Sequence, residues 1–132
     1  MHGVEVEIPM HCREGSWGIE LYQVEPQANE RVLAKRRFSA FYSTDLDVML
    51  RARGIKSLIM AGVATNVCVE TTARDGFMRD YHIVFLSDCT AAYDRQEHYS
   101  ALNNMSKYFG VVADSKELIE AWKTLPGVEP GR

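Results

Sequence analysis

The chain has 132 residues, 46% of them hydrophobic and 25% charged, the balance of an average soluble globular domain. Its net charge of −3 leaves no basic excess for neutralising phosphates, which argues against nucleic acid or anionic membrane as a partner. No stretch approaches the ~20 apolar residues that span a bilayer, and residues 1–9 alternate Val and Ile with Glu instead of forming an apolar signal core, so a cytoplasmic location is expected by default.

Residues 1–30 carry Gly15, Gly18 and Pro26 and read mostly as loop. From residue 31 onward short apolar runs alternate with helical patterns, the signature of βα units and a parallel sheet. Residues 31–35 (RVLAK) are the first expected strand. Thr44 and Asp47 resemble a capping box opening a helix with Leu46, Met49 and Leu50 on one face, which Gly54 ends. Residues 55–61 (IKSLIMA) read as a buried strand ended by Gly62, after which Thr65 or Asn66 caps a helix to about Arg79. Residues 82–86 (HIVFL) are the next strand, closed by Ser87 and Asp88.

Asp94 and Glu97 form a second cap-like pair, before a helix whose Leu102, Met105 and Phe109 recur at helical spacing until Gly110. Residues 111–113 are a short strand. Asp114 or Ser115 starts a last helix with Leu118, Ile119, Trp122 and Leu125 inward, and the tail from Pro126 is expected to fray. The whole chain, 1–132, reads as a single domain.

The three cysteines, Cys12, Cys68 and Cys89, include no close-spaced pair, which suits reduced thiols better than a disulfide framework or a zinc site. Cys12 and Cys89 read as buried packing thiols. Cys68 stands in the run GVATNVCVE, in the first turn of a helix that follows a buried strand. In an open parallel sheet, ligands bind outside the carboxyl ends of the strands, where this turn lies. The unpaired N–H groups and positive dipole end of a helix stabilise a thiolate and can receive a developing oxyanion. From the residues alone, Cys68 either attacks an electrophilic carbon or packs between helix and sheet. Lys35, on the same terms, is an exposed lysine at a strand end, and His82 and His98 are strand and helix residues.

The run GVATNVCVETTARDGF at residues 62–77, with KRRFSAFYSTDLDVMLRARGI before it and SDCTAA after it, resembles the isochorismatase-like hydrolase superfamily. A Lys-x-x-x-Ser-x-Phe segment and a Thr-Asn-x-Cys-Val segment stand at the superfamily's spacing, and the likeness covers about residues 10–125. Within it the chain is similar to the cysteine hydrolases of nicotinamidase, N-carbamoylsarcosine and ureidoacrylate amidohydrolase type. Isochorismatases that cleave a vinyl ether lack the nucleophilic Cys, so Cys68 favours amide chemistry.

The resemblance implies a three-layer α/β/α sandwich with a parallel sheet, no cofactor, and a small amide or ureido substrate. It makes Cys68 the nucleophile and Lys35 the catalytic lysine, with a cis peptide before Ala64 that aims the Ala64 and Cys68 amides at the substrate oxyanion. Ser39 and Phe41 fall where the family lines its pocket, although a core role explains Phe41 nearly as well. Asp88 reads as structural, holding loop amides. His11 resembles a metal-ligating residue of nicotinamidases, but a lone His is a poor site and no metal is expected. Family members commonly form dimers or tetramers, so a homo-oligomer is expected.

The family's triad also has an Asp at the end of its first strand, the general acid–base partner. Asp45, Asp47, Asp75 and Asp88 align elsewhere, so the chain reads as an N-terminally truncated member with its first strands missing. In the family's sheet order, 3-2-1-4-5-6, those strands lie between residues 31–35 and 55–61, and their loss exposes strand edges and apolar surface. Little amidase activity is expected of this chain alone. The alternative is a catalytically incompetent member with at most a role in oligomerisation; a thiol redox protein is the weaker third option, because no second cysteine is placed to resolve a disulfide.

Overall fold

The computed structural model describes residues 12–125. The chain divides between Val32 and Leu33 into two compact units. The described part of the first is loop, as its glycines and proline predict, with one 3₁₀ turn at Trp17–Ile19.

The second unit runs α1 (Leu46–Ala52), β1 (Ser57–Val63), α2 (Glu70–Phe77), β2 (His82–Ala91), α3 (Arg95–Asn104), β3 (Val111–Ala113) and α4 (Ser115–Lys123). A π turn at Thr65–Val69 leads into α2, and another at Met105–Phe109 extends α3. The three strands are parallel in the order β1-β2-β3. The fold is therefore the parallel α/β class that alternating apolar runs predict.

Side-chain chemistry sets the element boundaries. Helix α1 ends in a Schellman arrangement, with Gly54 at φ +67° and N–H bonds from Gly54 to the Arg51 carbonyl and from Ile55 to the Leu50 carbonyl. Its start differs from the expected capping box. Thr44 accepts the Leu46 N–H, but the Asp47 carboxylate turns to Arg51 and to the Tyr81 hydroxyl. The Asp94 carboxylate caps α3 through the Gln96 and Glu97 N–H groups. Asp114 and Glu117 close a full capping box on α4.

The core gathers Phe41, Val69, Ala73, Tyr81, Ile83, Phe85 and Met105, with Leu46, Leu50, Leu58, Leu102 and Phe109 packed partly against it. It sits beneath α2, against the central strand β2.

Four further expectations about strands, burial and thiols are corrected. Residues 31–35 form no strand, because an extended segment becomes one only by exchanging hydrogen bonds with a neighbour, and the described sheet offers it none. β1 is not fully buried: Ile59 is 40% and Val63 72% exposed, because β1 is an edge of the described sheet. In α4, Ile119 and Trp122 remain 47% and 46% exposed, since β3 is only three residues long and offers the helix little to cover. Cys12 and Cys89 are exposed.

The exposure of Cys89 follows from β2, which runs beyond Asp88 to Ala91. Met60 pairs with Phe85 but Gly62 pairs with Thr90, so residues 86–89 buckle out of the β1 ladder while Leu86 stays paired with Ala113. The Thr90 hydroxyl closes the buckle on the Leu86 carbonyl at 3.0 Å.

Candidate active site

β1 delivers the chain to the carboxyl edge of the sheet at Val63. The Val63–Ala64 peptide is cis, as the resemblance implied, and the next five residues wind into the π turn that carries Cys68. The Ala64 carbonyl accepts the N–H groups of Val67 at 3.1 Å and Val69 at 3.2 Å, passing over that of Cys68 between them. π turns inserted ahead of a regular helix are frequent at functional sites. Cys68 is a free, half-buried thiol, so a small electrophile can reach it. The turn carries no side-chain cap: the Thr65 hydroxyl and the Asn66 amide, the two expected caps, turn to His98 and Glu97 of α3 instead.

Lys35 lies exposed in the segment before Ser39, and its ammonium donates to the Arg37 carbonyl at 3.0 Å. No described hydrogen bond joins it to Cys68. The segment that carries Lys35 is nonetheless tied to the cysteine turn through Thr72. The Thr72 hydroxyl donates to the Cys68 carbonyl at 2.7 Å and accepts the Ala40 N–H at 3.0 Å. Sequence reading missed Thr72, although its position four residues after Cys68 on one helix face was a usable signal.

Ser39 and Phe41 both point inward. The buried Ser39 hydroxyl donates to Asp75 at 2.6 Å and accepts the Phe41 N–H at 3.1 Å. The Phe41 ring stacks on Tyr81 at 5.8 Å, with the Arg79 guanidinium 5.1 Å from its centre.

Asp47, Asp75 and Asp88 are committed elsewhere. Asp75 takes Ser39 and Arg79, and Asp47 takes Tyr81 and Arg51. Asp88 accepts the Ser115 hydroxyl at 2.5 Å and its N–H at 2.8 Å, anchoring the start of α4, the structural role its sequence position suggests. The Ser115 hydroxyl bond holds the Asp88 carboxyl below its usual value. Next to it, the Cys89 thiol is pushed up, first by loss of solvent and then by the Asp88 charge. An open cavity of about 480 Å³ lies along α3, lined by Asn66, Glu70, Asp94, Glu97, Ser100 and Asn104. Among the described residues, no cluster of three or more His, Cys, Asp or Glu side chains could hold a metal ion; His11 lies outside them. Nor, among the same residues, is any helix long and apolar enough to cross a membrane.

A parallel α/β sheet thus places a free, half-buried cysteine in the strand-to-helix turn after its edge strand, entered through a cis peptide. The family model described as the isochorismatase domain matches residues 4–117, and the chain belongs to that family. It is 41% identical over 112 residues to the ureidoacrylate amidohydrolase RutB of Acinetobacter baylyi, covering 83% of this chain and 46% of that protein. The chain thus spans about half the length of the curated relatives it matches.

Among solved structures, it resembles an isochorismatase-like hydrolase from Alkaliphilus metalliredigens, with 39% identity and a TM-score of 0.82, over 86% of this chain and 63% of that one. It also resembles the nicotinamidase/pyrazinamidase PncA of Bacillus subtilis, with 32% identity and a TM-score of 0.77, over 82% and 64%.

Proposed function

We propose that this chain carries the nucleophile of an amidohydrolase acting on a small amide or ureido compound. The observation that carries the reading is Cys68 in the π turn at the carboxyl end of β1, reachable from solvent. The thiolate of Cys68 attacks the substrate C=O, and the oxyanion rests on the N–H groups of Ala64 and Cys68. Collapse expels ammonia or an amine and leaves a thioester, which water hydrolyses to the acid and the free thiol. Lys35 helps hold the substrate, while Ser39 and Phe41, turned inward to Asp75 and Tyr81, brace the segment that carries it instead of lining the pocket. The amidase names of the relatives support the substrate class, and the family match across the division at residue 32 supports one functional domain over 1–132.

The reaction also needs a group to take the thiol proton and return it to the leaving nitrogen. Asp47, Asp75 and Asp88 are engaged elsewhere, and a protonated lysine does not accept a proton. Turnover by this chain is therefore expected to lie about 10²–10⁴-fold below that of a site with a positioned acid–base.

The test is ammonia release from nicotinamide, ureidoacrylate and N-carbamoyl compounds, with the A. baylyi relative as reference. We expect slow release from at least one compound, abolished by Cys68→Ala. Release that survives the alanine change would remove Cys68 from the mechanism, and release as fast as the reference would overturn the account of the acid–base. A second reading, association with further copies of the chain, draws on the exposed Ile59, Val63, Ile119 and Trp122; sedimentation of the purified chain as a monomer would dismiss it.

A further inference from the structure

The cysteine turn is gripped by α3 as well as by its own backbone. Thr65, with no exposed surface, places its hydroxyl oxygen 2.9 Å from His98 Nδ1. Asn66 Nδ2 donates to Glu97 Oε2 at 3.0 Å. Two successive residues of the turn thus meet two successive residues in the first turn of α3, and the Asp94 cap holds that end of the helix in place.

A buried hydroxyl needs a partner, and His98 is the one partner Thr65 has among the described hydrogen bonds. Asn66 keeps its place although its Oδ1 is buried without a partner, so local satisfaction does not by itself explain the geometry of this turn. Thr65 directly follows Ala64, and Cys68 lies three residues further on. Any shift of Thr65 therefore moves both amides assigned to the oxyanion.

We propose that His98 is a positioning residue: through Thr65 it fixes the turn so that the Ala64 and Cys68 amides and the thiol hold one mutual geometry. The inference rests on the amidase reading above. It assigns His98 no contact with substrate and no proton transfer. Asn66–Glu97 is the second, solvent-exposed strut of the same grip.

The test compares His98→Phe, which keeps a ring and loses the nitrogens, with His98→Asn, which keeps a hydrogen-bonding group near the Nδ1 position, and with Thr65→Val. One readout is the ratio of Cys68 to Cys89 labelling by iodoacetamide within the same folded molecule. The other is kcat and KM for ammonia release. His98→Phe and Thr65→Val should each lower the labelling ratio several-fold, and His98→Asn should restore most of it. The loss in turnover should fall on kcat, by about 10-fold or more, with KM little changed.

A wild-type labelling ratio in both His98→Phe and Thr65→Val overturns the proposal, as does a His98→Asn variant no better than His98→Phe. Should His98→Phe fail to fold, Thr65→Val and His98→Asn decide the matter. A wild-type chain lacking ammonia release sensitive to Cys68→Ala would overturn the amidase reading instead, and the labelling ratio would still decide the role of His98.

Discussion

At the scale of single residues, two polar side chains tie separate segments together on opposite sides of the core. Thr72 joins the Cys68 carbonyl to the Ala40 amide, so the segment that carries Lys35 is fastened four residues beyond the thiol. Asp47 serves stability on the other side of the core, where it takes the Tyr81 hydroxyl at 2.8 Å and the Arg51 guanidinium. The Tyr81 hydrogen bond is the largest cause holding the Asp47 carboxyl below its ordinary value of 3.8, with Arg51 adding to it. A carboxyl whose folded value is lowered binds fewer protons folded than unfolded, so its contribution is complete above the unfolded value and is lost as pH falls through the folded one. Wild type should therefore exceed Asp47→Asn in urea midpoint at neutral pH, and the gap should shrink as pH falls below about 4. Paired urea titrations check this, and a gap that stays constant with pH would show that the carboxylate's charge plays no part.

At the scale of elements, what was legible in the sequence is what local chemistry controls. Gly54, Asp94 and Asp114 end or begin helices where their residue types predict. Cys68 lies in the turn between β1 and α2 because a short apolar run and a helical pattern flank it, while the cis peptide at Val63 was expected only from the family resemblance. The features that were not legible depend on distant partners. The role of His98 needs Thr65, 33 residues away in the chain, and the buckle at residues 86–89 needs two neighbouring strands in different registers. Asp47 satisfies the spacing of a capping box yet is drawn to Tyr81, which no local pattern reveals.

Gly110 gives an element-scale prediction. A Cβ there would collide with the Ile83 carbonyl oxygen and stand 2.8 Å from Ile83 Cβ, where β3 approaches β2. Gly110→Ala should destabilise the chain by about 1–3 kcal/mol, the usual range for overpacking, as read from urea unfolding. A loss below about 0.5 kcal/mol, the level of an ordinary surface substitution, would show that the close approach is not real.

At the scale of the whole molecule, three thiols in one chain meet three different settings. Cys12 lies exposed in the loop unit, and Cys89 lies exposed in the buckle of β2, its pKa raised first by loss of solvent and then by the Asp88 charge. Cys68 alone stands in the turn that opens a helix from the edge of the sheet. The most direct measurement of the central claim is therefore a competition within a single sample: limited iodoacetamide at neutral pH, with peptide mapping of the three sites in the native chain and again in urea. Accessibility alone would favour Cys12 and Cys89, because both are more exposed than Cys68. The account predicts that Cys68 labels fastest in the native chain despite its partial burial, and that the preference vanishes in urea as the turn is lost. Native labelling that follows exposure, with Cys68 slowest, would mean that the turn does not activate the thiol and would contradict its assignment as the nucleophile.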